Sequence, residues 1–135
     1  YSAEFYALAV QHLSAQGVMV VQSGSPLFAR QAFWSMAHTI AATRNPVAPG
    51  QNLWILTYHT WVPSFGDWGF VMAALRSPSD RPLSLPEGLR YLTPEIWAQA
   101  QVFAPDSSDI PAELNSIRSH ALVGFYNAGW DAWFR

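Results

Sequence analysis

Cysteine and lysine are absent from this sequence of 135 residues, and its seven basic residues are all arginines that do not cluster. Without cysteine there is no disulfide framework and no thiol nucleophile, which favours a reducing compartment. The net charge of −2 and the lack of a basic patch argue against the electrostatic surface that nucleic acids require. We therefore predict a cytoplasmic protein that does not bind nucleic acid.

Long hydrophobic runs are also lacking. The longest, Val18 to Val21 and Phe70 to Leu75, fall far short of the roughly 20 residues of a membrane-spanning helix. The chain opens at Tyr1 on an amphipathic pattern without the regions of a signal peptide. Its hydrophobic content is 50% and its charged content only 12%, which is low for a self-sufficient surface. We expect residues 1–135 to be a single partial domain of a longer protein, with apolar surface for a partner.

Helical and strand patterns alternate along the first half of the chain. Ser2 suits a helix N-cap, and the apolar spacing predicts a helix over about 3–15. The run "GVMVVQ" is apolar throughout, which is typical of a strand buried on both faces of a parallel sheet. A second helical pattern, from about Pro26 to Thr43, precedes the strand-like "LWILTYHT". This alternation predicts an α/β domain with a parallel sheet.

The second half begins with a further strand. "WGFVMAAL" follows a connection of roughly nine residues, too short for a parallel crossover, so this strand should run antiparallel in a mixed sheet. Residues 76–88 form a predicted surface loop. Thr93-Pro94-Glu95 predicts a helix start that leads into "IWAQAQVF". Beyond it we expect mostly irregular chain with a turn at Ala112 to Leu114, and then a helix from His120.

The stretch "YHTWVPSFGDWGF" places six rings around a Pro-Ser turn with one aspartate. Aromatic faces attract cations, so a pocket walled by these rings would suit an amine, with Asp67 as counter-charge. The alternative is that the rings close the core, which is the commoner use of large aromatic residues. The rings that would form the pocket walls are those of Tyr58, Trp61, Phe65 and Trp68.

Gln22 ends the first predicted strand, where ligands collect in open α/β sheets. Its amide can bond a polar substrate, and it can equally bond the turn that follows. Gly24 is a single glycine and does not make a phosphate-binding loop. The serines lack a nucleophile-elbow pattern, and the histidines lack metal-ligand spacing, so neither a hydrolase nor a metal site is expected. The four histidines are His12, His38, His59 and His120.

Three segments, in this order, resemble the polyamine aminopropyltransferases, that is, spermidine synthase and its relatives. They are "YSAEFYALAVQHLSAQGVMVVQSGSP", "YHTWVPSFGDWGF" and "LRYLTPEIWAQAQVFAPD". "FARQAFWSM" and "PSFGDWGFVMA" look closest to bacterial members whose catalytic domain follows a membrane-embedded segment. The resemblance implies the C-terminal half of a class I methyltransferase-like, Rossmann-like domain with an antiparallel last strand.

The activity that this resemblance implies is aminopropyl transfer from decarboxylated S-adenosylmethionine to putrescine, giving spermidine. The family's Gly-rich cofactor loop, its ribose-binding acid and its Asp-x-x-Asp pair precede the segment that matches Tyr1. We therefore expect no catalytic or cofactor-binding residue in this chain, which alone should be inactive. The expected partners are putrescine, the missing N-terminal half of the domain and, as is common in the family, a second copy.

The family's substrate residues carry over to this sequence only in part. Gln22 matches the glutamine at the end of the family's strand, but Ser23-Gly24-Ser25 replaces the acid-containing sequence that often follows it. The family's turn contributes a tyrosine and a proline, whereas here the turn itself has no tyrosine. Tyr58 lies on the preceding strand, and Phe65 is expected to serve as a wall. The predicted substrate-binding residues are Gln22, Tyr58, Pro63, Ser64, Phe65, Asp67 and Trp68.

Two other functions are compatible with the same residues. An S-adenosylmethionine-dependent methyltransferase would share the fold, because fold does not fix function. A degenerate, non-catalytic module would instead use its aromatic faces to pack on a partner.

Overall fold

The computed structural model describes residues 1–78 and 84–134. Of the loop predicted at 76–88, residues 79–83 therefore lie outside the described part. The helices and strands alternate as predicted up to the second strand, which a third strand and two helices follow. They are α1 (Ala3–Ala9), a 3₁₀ helix (Val10–His12), β1 (Val18–Gly24), α2 (Arg30–Ala41), β2 (Trp54–Val62), β3 (Gly66–Ala74), α3 (Pro94–Gln99) and α4 (Ala121–Phe134).

The three strands form one sheet in the order β1-β3-β2, with β3 antiparallel to both neighbours. The predicted antiparallel direction of β3 is confirmed, and the short connection from β2 explains it. β1 and β2 run in the same direction, but β3 lies between them. The described strands therefore contain no parallel pair, and the prediction of a parallel or mixed sheet is not met within these residues.

β1 is not buried on both faces, as its apolar run had predicted. Val18 and Val20 are 48% and 49% exposed, whereas Met19 and Val21 pack against the core. Successive side chains of a strand point to opposite faces, and α2 covers only one face of this sheet. The structure thus leaves an apolar sheet face partly open.

The core lies between α2 and the covered sheet face. Gly69 of β3 is essential to this packing, because a Cβ there would overlap the Phe33 ring of α2. Leaving out the side chain lets helix and sheet approach closely. The buried core residues are Tyr6, Val10, Phe33, Trp34, Ala37, Ile40, Leu53, Val71, Ala73 and Leu75.

Two helices end earlier than their sequence patterns predict. The first α-helix begins after the Ser2 cap, as expected, but it ends at Ala9 and continues only as the 3₁₀ helix. α3 begins after the Thr93 cap and ends at Gln99, short of the predicted end near Phe103. The reason in α3 is tertiary, since the chain after it leaves the helix to bond the outer edge of β2 through the Ala100 carbonyl.

The irregular chain over 104–120 is held by polar side chains of α2. Ser35 Oγ donates to the Glu113 carbonyl at 2.6 Å, and Thr39 Oγ1 accepts from the Asn115 amide at 2.9 Å. These bonds satisfy backbone groups that no helix or strand satisfies there.

α4 closes the domain against α2. It buries Leu122, which belongs to a small second cluster with α2. The turn before α4 lies at 117–119, so the predicted turn at Ala112 to Leu114 was wrong. No helix within the described ranges is long and apolar enough to cross a membrane.

Candidate functional site

Three side chains form a row across the open face of the sheet. In the strand register Gln22 of β1 and Tyr58 of β2 both lie opposite Phe70 of β3. Directly paired residues of antiparallel strands project from the same face, with Cβ atoms about 4.5–5.5 Å apart. The structure therefore brings two predicted site residues, Gln22 and Tyr58, onto one surface with Phe70 between them.

The Tyr58 ring is fixed from two sides. It stacks on Phe70, with ring centroids 5.2 Å apart and planes inclined by 15°, and it contacts the Trp97 ring of α3 at 5.2 Å. Burial raises the pKa of the Tyr58 hydroxyl above its ordinary value. The hydroxyl therefore stays protonated at neutral pH and can donate or accept a hydrogen bond.

Gln22 lies at the exposed end of this row. The turn that follows β1 is capped by Ser25, whose Oγ accepts hydrogen bonds from the Leu27 and Phe28 amides. This leaves the Gln22 side chain exposed on the open face. The ligand role of Gln22 stays a prediction.

The turn between β2 and β3 consists of Pro63, Ser64 and Phe65. Ser64 has a φ of 75°, and the Phe65 amide bonds the Val62 carbonyl at 3.0 Å. Phe65 is 57% exposed and Trp61 is 70% exposed, so neither of these rings closes the core. A three-residue loop with a residue at positive φ is a common hairpin turn, and here it presents an aromatic ring to solvent.

Trp68 lies on the same face as the row, next to Phe70 by the alternation of β3. Its ring contacts the Phe65 ring at 5.1 Å. The indole Nε1 is buried and has no hydrogen-bond partner among the described residues. An unpaired buried donor costs about 1–3 kcal/mol, so this N–H is a local energetic cost of the hairpin.

Asp67 points to the other face and does not join the row. Its Oδ1 lies 2.6 Å from Nδ1 of His59, whose ring packs against Phe103 on the α2 side of the sheet. Only part of the carboxylate is accessible, with 26% of the side chain exposed. Among the described residues there is no group of three or more histidine and acidic side chains that could hold a metal ion.

Sequence reasoning missed Phe70, Trp97 and the pairing of His59 with Asp67. A usable signal existed for the pairing. If the turn is centred on Ser64, the hairpin register sets His59 opposite Gly69 and makes Asp67 its diagonal neighbour. No comparable sequence signal predicts the contact between Trp97 and Tyr58, because this contact depends on where the chain after β3 packs against the sheet.

No family model matches this sequence. It is similar to curated proteins called polyamine aminopropyltransferase, at 34% identity in Leptospira interrogans and 37% in Mycobacterium tuberculosis, with 97% of this chain covered in each case. A third, from Corynebacterium efficiens, is 39% identical over 91% of the chain. The chain spans only 24%, 24% and 22% of these relatives, about a quarter of their length.

Proposed function

We propose a function from the premise that this chain belongs with the polyamine aminopropyltransferases, to which it is similar in sequence along almost its whole length. Within a longer parent it forms the diamine side of the site. There an amino group of putrescine attacks the aminopropyl carbon next to the sulfonium of decarboxylated S-adenosylmethionine. The C–S bond breaks, the nucleoside thioether leaves, and the new amine loses a proton, so that spermidine results. The observation that carries this proposal is the row of Gln22, Phe70 and Tyr58 on the open sheet face.

The chemistry of the row suits a slender diamine. The transfer needs an uncharged amine nitrogen held in line with the carbon it attacks. The Tyr58 and Phe70 rings offer apolar surface to the methylenes and an attractive π-face to the ammonium at the other end. The Gln22 amide oxygen can accept from an amine N–H.

Proton acceptance is assigned to other parts of the parent. Neither an amide nor a protonated phenol is a base at neutral pH, so the row binds and orients the diamine only. We place the donor, its binding residues and the base in the N-terminal half of a Rossmann-like domain that this chain does not contain. The chain alone is accordingly proposed to be inactive, and the parent to be a cytoplasmic homodimer.

The remaining predicted contacts belong to the hairpin. Pro63, Ser64 and Phe65 form a wall beside the row, and Trp68 supplies the ring that continues it. Asp67 faces away, so a contact from it to a diamine would use the carboxylate oxygen that His59 does not engage.

A non-catalytic role in assembly is the second candidate, and the exposed Val18 and Val20 favour it. A methyltransferase activity is less favoured, since the relatives' names point to aminopropyl transfer. Size-exclusion chromatography together with a measurement of putrescine binding separates the diamine site from the assembly role. Strong self-association without any amine binding favours assembly.

A titration with putrescine followed by NMR tests the diamine side. We expect the Gln22 side-chain amide and the Trp68 indole signals to shift. Tyr58→Ala should weaken binding by about 2- to 30-fold, the range of a cation–π contact. Gln31→Ala, on an exposed position of α2, is the control and should leave binding unchanged. Shifts that avoid the open face would contradict the proposed site.

An activity assay tests the proposed incompleteness. The chain mixed with decarboxylated S-adenosylmethionine and putrescine should form no spermidine. Measurable spermidine would refute the assignment of donor binding and proton acceptance to other parts of the parent.

A further inference from the structure

Both ring nitrogens of His59 face hydrogen-bond acceptors. Nδ1 lies 2.6 Å from Asp67 Oδ1, and Nε2 lies 2.8 Å from the backbone carbonyl oxygen of Val102. A carbonyl oxygen never donates, so Nε2 must carry a proton for the second contact to be a hydrogen bond.

A neutral imidazole has only one N–H, and Nε2 already requires it. The contact at Nδ1 then needs a second proton, held either on Nδ1 itself or on the Asp67 carboxyl. We propose that His59 and Asp67 share this extra proton, and that it ties the β2–β3 hairpin to the chain after α3. In this role the two side chains form a positioning pair.

The segment that the pair holds is closely integrated with β2. The His59 amide donates to the Ala100 carbonyl at 2.8 Å, and the His59 ring lies 4.7 Å from the Phe103 ring. The helix that precedes this segment, α3, holds Trp97 against Tyr58. Loss of the proton would therefore loosen the support of Tyr58. The expected effect on amine binding rests on the proposed function, whereas the inference of a shared proton does not.

The cavity beside the pair is lined by few other titratable groups. Its volume is about 210 Å³. Of the described residues that line it, Tyr91 alone is titratable besides the pair, and its hydroxyl lies 3.0 Å from Thr60 Oγ1. α3 contributes only Ile96 and Gln99 to this lining, and β3 contributes only Asp67. Asp67 is thus the charged partner of the His59 ring on the side of this cavity.

A second His–Asp contact provides a matched comparison. His38 Nε2 lies 2.9 Å from Asp109 Oδ1 at the surface, and this contact involves one ring nitrogen only. A neutral ring with its proton on Nε2 is sufficient there. The same histidine chemistry thus occurs in this chain without the requirement for an extra proton.

The test is an NMR titration of the ¹⁵N-labelled chain with pH. We expect the His59 amide to be protected from exchange in the pH range in which the His59–Asp67 pair holds the extra proton. The proton and the protection should be lost together as pH rises. In Asp67→Asn the new side-chain amide donates to Nδ1, so a neutral ring makes both bonds. Protection of the His59 amide should then persist at high pH. Asp109→Asn, the control, should leave the His59 profile unchanged.

Two further results decide the matter. His59→Phe keeps a ring against Phe103 but removes both bonds, so the amide at position 59 should exchange about tenfold faster than in wild type at low pH, and the difference should close as the wild type loses the extra proton. The proposal is overturned if the wild-type ring keeps the Val102 contact without the extra proton, or if Asp67→Asn retains the wild-type pH profile. Putrescine binding is measured in parallel. Its absence with an intact proton profile counts against the proposed function alone.

Discussion

The Phe70 ring of β3 stacks on the Tyr58 ring of β2, with 5.2 Å between centroids and 15° between planes. Antiparallel pairing sets the two residues directly opposite each other, and Trp97 holds Tyr58 from the other side. The aromatic part of the candidate site is therefore formed by the fold before any ligand binds. Preformed apolar surface with a few polar groups is typical of small-molecule sites.

Removing the central ring should cost stability. Phe70→Ala deletes a partly buried ring and its stacking contact with Tyr58, and we expect a loss of about 2 kcal/mol in the free energy of unfolding. Urea unfolding measures it. Phe65→Ala, at the exposed turn, is the control, with an expected loss of about 0.5 kcal/mol. Equal losses in the two variants would mean that the Phe70 stack contributes nothing special.

Adding one methyl group at Gly69 should be harmful. The Cβ of Gly69→Ala would overlap the Phe33 ring and come within 3.0 Å of the Gly24 carbonyl oxygen, so we expect a loss of about 1–3 kcal/mol. Gly124→Ala on α4 meets no atom within 4 Å and should stabilise by about 0.5–1 kcal/mol. Thermal unfolding of both variants checks the opposite signs. A tolerated Gly69→Ala would contradict the close helix–sheet approach.

The Asn115 side chain bonds both the N-terminus and the start of α4, so its removal should destabilise both regions. Its Nδ2 donates to the Tyr1 carbonyl at 2.8 Å, and its Oδ1 accepts from the Leu122 amide at 3.1 Å. We expect Asn115→Ala to destabilise by about 2–3 kcal/mol, because the buried Leu122 amide loses its acceptor. Hydrogen exchange at the start of α4 should quicken as well. Asn127→Ala, at an exposed position of α4, should change stability by less than about 0.5 kcal/mol.

Acid should loosen the link between α1 and the chain before α4. The Glu4 carboxylate accepts hydrogen bonds from the backbone amides of Glu4 itself and of Ile117. These bonds lower the pKa of Glu4 below its ordinary value of 4.5. A carboxyl group whose pKa is lower in the folded than in the unfolded state stabilises the fold at pH values above its unfolded-state pKa. This stabilisation is lost as the pH falls through the folded-state pKa. We expect Glu4→Gln to be less stable than wild type at pH 6, with the difference closing in acid.

Paired urea titrations from pH 6 down to 3 measure this difference. Glu87→Gln, in an exposed part of the chain, controls for the loss of one negative charge. A constant difference between Glu4→Gln and wild type at all pH values would contradict the assignment.

Part of the candidate site was predictable from local patterns. The helix starts at Ser2 and Thr93 follow from their caps, and both side chains accept the expected amide in the structure. Tyr58 lies on a strand as predicted, whereas β1 continues past its predicted end at Gln22 to Gly24. Their lying in one row depends on β3 entering between β1 and β2, and no local pattern encodes that.

The sequence by itself determined the order of the strands and helices along the chain, that β3 turns back on β2, and which protein family the chain resembles. These properties depend on spacing, caps and turn residues that are close together along the chain. The tertiary structure alone decided that α3 ends early, that Asp67 turns to His59, and that Tyr58 is held between Phe70 and Trp97. Those outcomes depend on contacts between residues far apart in sequence, whose free energy is set by packing and not by local preference.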